Sequence, residues 1–357
     1  MTNKLNFGKI ALIGSGETAA AGGQVYDLLA QNQPTPLQIS ILETPAGFEL
    51  NSARVAGRVA DYMAVRLQNY RPNIQVLPAR HKGSAFSPDD PALLAPLLDS
   101  QLIFFGPGSP SYTVRQLQGS LAWQRVRTRQ VHGAALALAS AATVAMGALA
   151  LPVYEIYKAG EDPFWKPGLD LFRPFGLNLV IVPHWNNNDG GAELDTRYCF
   201  MGEPRFAPLR EMLPGDAVIL GIDEQTAAIF DFENGRLQAV GRDALHVLRA
   251  GYAETLPTGS DQPLTVLGDF HLPAWEDLDL PEAALAEMEN HHQRRNAEQA
   301  ARLVVPPEVQ DLVQLRQQAR EERNWSESDA LRARIQSHGW QVKDTAQGPV
   351  LEPLDQA

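Results

Sequence analysis

An α/β fold is predicted for most of this chain: a doubly wound, mostly parallel sheet with an antiparallel extension, followed by a small helical C-terminal module. The main observation is a series of short apolar runs that show no alternation with polar residues. Such runs are typical of strands that are buried on both faces of a parallel sheet. The runs are residues 9–13 (KIALI), 37–42 (LQISIL), 74–77, 102–105 (LIFF), 134–139 and 178–182 (NLVIV).

Two further patterns complete the prediction for this region. Helical stretches over residues 51–70 and 91–98 separate the apolar runs. Asn234-Gly235 is a strong signal for a tight hairpin turn between antiparallel strands. The predicted antiparallel strands are residues 217–220, 226–232 and 237–240.

Four segments are predicted along the chain. Residues 1–255 form the α/β domain. Residues 256–280, where prolines and acidic residues accumulate and periodicity fades, form a linker. Residues 281–303 form a connecting helix, with a proline at an allowed first-turn position and a glutamate after it. Residues 304–357 form a module of two helices and a short extended tail.

Composition excludes several classes of protein. The formal net charge of −12 disfavours a general nucleic-acid binder, because affinity for phosphate backbones depends on Lys and Arg. Cys199 is the sole cysteine, which excludes a disulfide framework and a thiolate zinc cluster and suits a reducing compartment. No run of about 18 apolar residues would span a membrane, and the first residues lack a signal-peptide pattern. A cytoplasmic protein without metal or cofactor, able to form homo-oligomers, is expected.

A dinucleotide site is one alternative for the first strand and the turn after it. Residues 14–19 (GSGETA) fit the pattern G-x-G-x-x-A, and Glu43 ends the next strand. The acidic residue of such a site is expected about 20 residues after the first glycine. Glu43 instead lies 29 residues after Gly14. A dinucleotide-binding enzyme therefore remains an alternative hypothesis.

Two other side-chain groups are weaker candidates for chemistry. Cys199 is a candidate thiol nucleophile, but a lone cysteine between two aromatic residues is more typical of core packing. His291 and His292 are adjacent on a predicted helix and would point about 100° apart, so a shared metal ion is not expected. No metal site is predicted.

A serine, a histidine and a glutamate follow predicted strands in that chain order. Ser140 lies in residues 138–142 (LASAA), where a buried strand turns into a helix. His184 comes just past the strand that ends near residue 182, and Glu224 lies in residues 221–227 (GIDEQTA). Open parallel sheets place functional residues at the carboxyl ends of their strands. These residue types suit a nucleophile, its base and the acid that orients the base.

These motifs and their order resemble the cyanophycinase and dipeptidase E group of the class I glutamine-amidotransferase-like superfamily, whose sheet is flavodoxin-like. The resemblance implies a serine peptidase or amidase with Ser140, His184 and Glu224 as catalytic residues. It also implies that the backbone N–H groups of Gly108 and Ala141 bind the oxyanion. A small peptide or amide is the implied substrate.

This sequence departs from the family pattern at several positions. Leu138 and Ala142 stand where glycine flanks the serine, and Ser109-Pro110 replaces the usual Asp-Gln or Asn-Thr. The Arg-rich pattern after the histidine is replaced by residues 186–189 (NNND). Polar residues near the predicted site either line the cleft or form surface ion pairs. The cleft candidates are Asn187, Asp189, Asp195, Arg197 and Asp223.

The end of the chain carries a second pattern, over residues 306–354. It contains a helix with R-x-x-A-R, a second helix with W-x-x-x-D, and then G-W-x-V-x-D-x-x-x-G; the residues that fit are Arg316, Arg320, Trp325, Asp329, Arg332, Gly339, Asp344 and Gly348. The pattern resembles the C-terminal anticodon-binding module of bacterial cysteinyl-tRNA synthetases. The resemblance implies tRNA as a partner, and the candidate contacts are Arg316, Asn324 and Asp344.

The chain as a whole is not expected to be a synthetase. The ATP motifs H-I-G-H and K-M-S-K-S are absent, and one cysteine cannot build that family's zinc site. Trp325 and Trp340 are either stacking surfaces for exposed bases or core residues of the small module. Two main hypotheses follow: a serine hydrolase acting on a small peptide or amide, or a non-catalytic regulatory protein that binds tRNA or a protein through its C-terminus.

Overall fold

A computed structural model describes residues 5–345 and 348–354. The ends of two predicted segments, residues 1–4 and 355–357, lie outside the described residues, as do residues 346–347. The chain forms two compact units, the first extending to Leu285 and the second beginning at Ala286. This division falls within the predicted connecting helix. In the described part of the chain, no helix is long and apolar enough to cross a membrane.

The first unit alternates strands and helices along most of its length. Its strands are β1 (Ile10–Ile13), β2 (Gln38–Leu42), β3 (Asn73–Leu77), β4 (Leu102–Phe105), β5 (Ala135–Ala139), β6 (Leu149–Ala150), β7 (Lys166–Pro167), β8 (Leu179–Val182), β9 (Val218–Ile222), β10 (Thr226–Asp231), β11 (Arg236–Gly241), β12 (Ala244–Arg249), β13 (Tyr252–Pro257) and β14 (Asp261–Pro263). Its helices are α1 (Ala20–Ala30), α2 (Ser52–Arg66), α3 (Pro110–Leu117), α4 (Leu121–Val131), α5 (Ala141–Ala145) and α6 (Gly202–Glu211). The helix α7 (Glu282–Leu303) follows.

The main sheet has the order β14-β11-β10-β1-β5-β4-β2-β3. Strands β1 to β5 within it are parallel, and β10, β11 and β14 extend it in antiparallel fashion. Leu136 and Leu138 of β5 belong to one core, whereas Ala137 and Ala139 belong to another on the opposite face. Helices α1 and α2 contribute to one core, and α3 and α4 to the other. Burial on both faces explains the unbroken apolar runs and confirms the predicted α/β fold class.

A second sheet was not predicted. It has the order β13-β12-β9-β8-β6-β7, and it contains the predicted strand near residue 180. The strand expected to be antiparallel over residues 217–220 is β9, which pairs parallel to β8 and antiparallel to β12. An apolar run predicts that a strand forms, but its partner depends on contacts between residues far apart in sequence. The predicted hairpin does form, because β10 and β11 pair in antiparallel register around Asn234 and Gly235.

Two predicted local structures differ in the structure. Residues 91–98 do not form an α-helix; turns lead into a 3₁₀ helix over Ala95–Asp99. Pro96 lies at the start of this 3₁₀ helix, and proline in an α-helix interior removes a hydrogen bond and clashes with the preceding turn. The helix predicted over 51–70 is α2 followed by a separate 3₁₀ turn at Gln68–Tyr70.

The segment predicted as a linker, residues 256–280, is folded into the first unit. Strand β14 pairs with β11, and a 3₁₀ helix over Leu264–Leu267 directs the side chains of both terminal leucines into the main core. Leu264 and Leu267 are fully buried. Prolines and acidic residues mask the periodicity of this segment, but its few leucines are spaced so that they reach the core.

The second unit is a small helical module closed by a β-hairpin. It contains α8 (Pro307–Glu321), α9 (Trp325–Ser337), β15 (Trp340–Thr345) and β16 (Gly348–Pro353). The two strands pair in antiparallel register where the sequence predicted an extended tail. Its core joins the two helices to β15 through Leu312, Leu331, Ile335, Trp340 and Val342.

The packing of residues 256–280 generates a prediction about stability. Leu264→Ala should lower the free energy of unfolding by about 2–5 kcal/mol, because truncating a fully buried leucine removes apolar contacts and leaves a cavity. Leu272→Ala, in the same segment with 48% of its surface exposed, is the matched control and should change stability by less than about 1 kcal/mol. Urea unfolding measures both. Equal effects of the two substitutions would show that the segment is loosely attached.

Candidate active site

Ser140 lies at the sharp turn between strand β5 and helix α5. Its backbone has φ 53° and ψ −111°, a left-handed conformation that a residue with a side chain rarely adopts. The amide of Ser140 donates a 3.1 Å hydrogen bond to the carbonyl oxygen of Ile13 in the neighbouring strand β1. The residue is partly exposed, although the residues on either side of it are buried. The turn therefore presents the hydroxyl at the carboxyl end of the parallel strands.

This turn forms with Leu138 and Ala142 in place of the flanking glycines. The Leu138 side chain is fully buried in the core under the sheet, and Ala142 is also fully buried. Thr143 Oγ1 donates a 2.7 Å hydrogen bond to the Leu138 carbonyl oxygen and ties the first turn of α5 to the strand. The backbone reversal thus forms with a large residue at position 138, whose side chain is buried in the same core as the residues of α5.

His184 follows strand β8 of the second sheet and also has a positive φ, of 51°. Its carbonyl oxygen accepts hydrogen bonds from the amides of Asn187 and Cys199, both at 3.2 Å, which fix the loop around it. The ring nitrogen Nε2 lies 2.9 Å from Ser140 Oγ, and Nδ1 lies 3.1 Å from Glu224 Oε1. A carboxylate only accepts hydrogen bonds, so Nδ1 is the donor to Glu224, which places Nε2 to accept from the serine hydroxyl.

Glu224 lies on the turn that connects β9 of the second sheet to β10 of the main sheet. Its amide donates a 2.8 Å hydrogen bond to Asn186 Oδ1, and its carboxylate oxygen Oε1 also accepts one of 2.8 Å from Asn187 Nδ2. The hydrogen bond from His184 lowers the pKa of Glu224, and the Asn187 bond adds to this, although desolvation opposes them. The carboxylate is thus held ionised beside the histidine.

Asn187 is a buried residue that supports the Glu224 carboxylate. Only 1% of its surface is exposed, and its amide nitrogen binds the same Glu224 oxygen as His184 does. The sequence named Asn187 as a cleft residue, but its side chain is a buried partner of the glutamate. Asn187 and Glu224 are 37 residues apart in the sequence, so no local pattern predicts their contact.

The other cleft candidates contact residues other than Ser140, His184 and Glu224. Asp195 and Arg197 form a two-pronged ion pair with 2.8 and 2.9 Å contacts, and Asp195 also accepts from the Glu203 amide at the start of α6. The Arg197 hydrogen bonds hold the pKa of Asp195 well below its usual range. Asp223 binds the Ala244 amide and lies 3.1 Å from His246 Nε2, whereas Asp189 is exposed. These contacts are those of surface ion pairs and loop supports.

Gly108 and Ala141 are the two residues whose backbone N–H groups are expected to bind the oxyanion. Gly108 has φ 152°, and a Cβ at this position would lie 1.9 Å from the Pro45 carbonyl oxygen, so only glycine fits. Within the described residues, neither the Gly108 nor the Ala141 N–H donates to a protein acceptor. Ser109 caps helix α3 by accepting a 3.2 Å hydrogen bond from the Tyr112 amide, which accounts for Ser109-Pro110 at this turn.

A cavity of about 780 Å³ has Ser109 in its lining, the residue after Gly108, but it is not lined by Ser140, His184 or Glu224. One wall is aromatic: the ring centroid of Phe48 lies 5.0 Å from that of Tyr112 and 6.4 Å from that of Tyr154. Charged side chains, including the paired Glu155 and Lys166, form other parts of its lining. Its size is that of a small-molecule site.

Cys199 and Glu43 are the key residues of the two alternative sites, a thiol nucleophile and a dinucleotide site, and both are buried. Burial raises the pKa of the Cys199 thiol to about 12, so the thiolate that a nucleophile needs is not formed near neutral pH. Glu43 is buried with its carboxylate bound by Ser52 and Arg80, so it does not extend toward a ribose. Gly14 is required because a Cβ there would lie 2.2 Å from the Asp223 carbonyl oxygen. Among the described residues, no group of acidic, histidine and cysteine side chains is arranged to hold a metal ion.

In the C-terminal module, Arg316 forms a bidentate ion pair with Asp344, with distances of 2.8 and 2.9 Å. The Arg316 side chain is only 3% exposed, and the hydrogen bonds raise its pKa while lowering that of Asp344. Asn324 caps helix α9 through a 3.3 Å hydrogen bond from the Glu327 amide. All three candidate tRNA contacts therefore also stabilise the module itself.

The two tryptophans of the module occupy different environments. Trp340 is buried in the core, as expected for a structural residue. Trp325 is 57% exposed, and the Arg320 guanidinium lies 5.8 Å from the centre of its ring. Trp325 is therefore a surface ring with a cationic neighbour.

Comparison with known proteins identifies relatives of the C-terminal module. Residues 304–348 match the family model described as the cysteinyl-tRNA ligase anticodon binding domain. The cysteine–tRNA ligase of Chlamydia abortus is 49% identical over 50 residues, 14% of this chain, and that of Rubrobacter xylanophilus is 48% identical over 46 residues, 13% of this chain. A third, from Chlamydia caviae, is 40% identical over 55 residues, 15% of this chain. The chain spans only 10–12% of the length of these relatives.

Solved structures resemble most of the chain. A peptidase from an acI-B1 Actinobacterium aligns with a TM-score of 0.57 and 21% identity over 72% of this chain and 97% of that chain. A putative peptidase E protein from Listeria monocytogenes EGD-e aligns with a TM-score of 0.42 and 12% identity over 71% of this chain and 99% of that chain. The acI-B1 likeness shows a shared fold. With the family match it confirms the two-part description, a peptidase-like α/β fold and a C-terminal module of the anticodon-binding type.

The conformation of Ser140 generates a prediction about strain. Ser140→Gly should be more stable than Ser140→Ala by about 1 kcal/mol, because glycine relieves a strained φ/ψ worth about 1–3 kcal/mol, partly offset by its greater unfolded-state entropy. Both substitutions remove the hydroxyl, so the hydrogen bond to His184 cancels in the comparison. Thermal or urea unfolding measures the difference.

Ser84, in a surface turn with negative φ, provides the control pair. There the glycine variant should be no more stable than the alanine variant. The same order of stabilities at positions 140 and 84 would contradict a strained turn at Ser140.

Proposed function

We propose that this protein is a serine hydrolase that cleaves an amide bond in a small peptide or amide. The observation that carries this proposal is the continuous hydrogen-bonded chain from Ser140 through His184 to Glu224, with heavy-atom distances of 2.9 and 3.1 Å. Both distances are within the range required of a nucleophile, its base and the group that orients the base. The peptidase fold of the first unit supports the proposal by analogy.

The geometry supports a double-displacement reaction. Ser140 Oγ attacks the carbonyl carbon of the substrate while His184 Nε2 takes the hydroxyl proton. The ionised Glu224 carboxylate holds the Nδ1–H and stabilises the imidazolium that forms. His184 then gives its proton to the departing amine nitrogen as the carbon–nitrogen bond breaks. Water, activated by the same ring, hydrolyses the acyl–serine ester and releases the acid product.

The oxyanion of the tetrahedral intermediate requires fixed donors. Gly108 and Ala141 supply backbone N–H groups that have no protein acceptor within the described residues. The Ala141 amide also lies at the first residue of helix α5, directly after the nucleophile. Preorganised donors of this kind contribute about 10²–10³ in rate for each donor in known serine hydrolases.

Labelling with a fluorophosphonate probe tests the proposal, because such probes react covalently with activated serines. The protein should be labelled at Ser140, and Ser140→Ala should abolish the adduct, as mapped by mass spectrometry of the digested protein. Ser84→Ala, a surface serine in a turn, is the matched control and should leave labelling unchanged. Absence of any adduct on correctly folded protein at neutral pH, together with no turnover of peptides or amides, would overturn the proposal.

A second function, tRNA binding, is proposed for the C-terminal module. It rests on the family match over residues 304–348 and on the exposed ring of Trp325 beside Arg320. Residues 304–357 contain six basic against nine acidic residues, so bulk attraction to phosphates is weak. Recognition would depend on stacking and on specific contacts to unpaired bases, for which an exposed tryptophan is suited.

Binding to tRNA-Cys therefore should exceed binding to other tRNAs at moderate salt. Trp325→Ala should weaken binding about tenfold, because stacking on one base contributes about 1–3 kcal/mol. Leu315→Ala, which removes another exposed apolar side chain of the same module, is the control and should have little effect. Filter binding with purified tRNAs measures the affinities. Equal and negligible binding of all tRNAs would leave a protein-docking role for the module.

A further inference from the structure

We propose that Glu43 is a positioning residue for the oxyanion site, acting through a buried polar group that sets the place of the Gly108 peptide. We call Glu43, Ser52 and Arg80 the Glu43 clamp. The inference rests on the proposed hydrolase function, because it assigns a task at the same site. It also gives a role to the acidic residue that directly follows strand β2.

The centre of the clamp is one carboxylate oxygen. Glu43 is only 4% exposed, and its Oε2 accepts hydrogen bonds from Ser52 Oγ and from Arg80 Nε, both at 2.7 Å. A buried carboxylate is costly unless it is paired and hydrogen-bonded, so the chain positions of both donors are tightly constrained. Glu43 thereby joins the end of β2, the start of α2 and the loop after β3.

The next step is the turn that Glu43 begins. The Ala46 amide donates to the Glu43 carbonyl oxygen at 3.0 Å, and the Gly47 amide donates to that of Thr44 at 3.1 Å. Thr44 Oγ1 donates a 2.6 Å hydrogen bond to the Ala79 carbonyl oxygen, beside Arg80. The turn is therefore fixed at both ends, and the direction of the carbonyl group at its centre is fixed with it.

That central carbonyl belongs to Pro45, and it contacts the loop that contains Gly108 and Ser109. Its oxygen accepts a 3.0 Å hydrogen bond from the Ser109 amide and would lie 1.9 Å from a Cβ at Gly108. A second connection runs through Arg80, whose carbonyl oxygen accepts a 2.7 Å hydrogen bond from the Tyr112 hydroxyl in α3. The clamp thus holds the loop that contains Gly108 from two directions.

These contacts support a role in catalysis beyond stability. Replacing a buried ion pair by apolar residues is often neutral or stabilising, so stability alone does not require a charged clamp here. A backbone donor for an oxyanion, by contrast, must be held to within about 0.5 Å of its working position. A carboxylate with two short hydrogen bonds, next to a turn that abuts Gly108, provides that restraint.

Kinetics of fluorophosphonate labelling test the proposal on the full-length protein. Glu43→Gln should lower the rate constant for labelling at saturating probe about tenfold, because the phosphoryl oxygen of the adduct needs the same donors. The probe concentration that gives half-maximal rate should change by less than about twofold, since Glu43 is too deeply buried to contact the probe. A purely structural role would not separate these two constants.

Asp231→Asn is the matched control. Asp231 is also a largely buried acid, it pairs with Lys9 at 3.1 Å, and it lies at the end of β10 remote from Glu224. This substitution removes a comparable ion pair from the same unit, and the labelling rate constant should stay within about twofold of the unsubstituted protein. Thermal unfolding of both variants shows whether their losses of stability match.

Two results separate the clamp from the hydrolase proposal. If the unsubstituted protein does not react at Ser140, the proposed function fails, and the clamp fails with it. If it reacts and Glu43→Gln reacts equally fast, the clamp alone is overturned. Should Glu43→Gln not fold, Ser52→Ala removes one of the two hydrogen bonds to the carboxylate and should therefore lower the same rate constant about threefold. An unchanged rate in that variant would overturn the clamp equally.

Discussion

The arrangement of the candidate active site depends on how the chain passes from the second sheet to the main sheet between β9 and β10. Gly14, directly after β1 of the main sheet, allows the chain at Asp223 to approach closely, because a side chain at position 14 would collide with the Asp223 carbonyl oxygen. Glu224 lies on the passage itself, His184 follows a strand of the second sheet, and Ser140 follows a strand of the main sheet. Since the three side chains come from both sheets and from the connection between them, any change that opens this passage would separate the acid from the base.

The main sheet was predictable because its physical cause is visible in short stretches of sequence. Strands buried on both faces need unbroken apolar residues, and the runs near residues 10, 40 and 136 show this directly. The second sheet was not predictable in the same way, because its strands carry a similar signal and only distant contacts decide which strands pair. The composition of residues 256–280 predicts a linker, because prolines and acidic residues accumulate there. The attachment of this segment depends on Leu264 and Leu267, which are too few to produce a periodic pattern.

For the candidate site, the sequence named the three side chains that the structure brings together, because each ends a recognisable strand or lies in a recognisable motif. It did not reveal how Asn187 supports Glu224, because that contact joins two loops whose conformations no local pattern encodes. Glu43 illustrates the opposite difficulty. Its place at the end of β2 suggested a ribose-binding acid, but burial beside Arg80 and Ser52 changes its role. Local sequence identifies reactive residue types, whereas their partners are set by the tertiary fold.

The choice between a hydrolase and a non-catalytic protein depends on what maintains the backbone at Ser140. A residue in a strained conformation persists only where surrounding contacts impose it. Here the Ser140 amide binds Ile13, and Thr143 binds the Leu138 carbonyl oxygen, so the turn is held on both sides. His184 is itself held at positive φ, 2.9 Å from the hydroxyl that the turn presents. The structure thus holds Ser140 in a strained conformation that a purely structural residue has no evident reason to adopt, and places its hydroxyl against a histidine ring. This favours the hydrolase proposal over a non-catalytic role for the first unit.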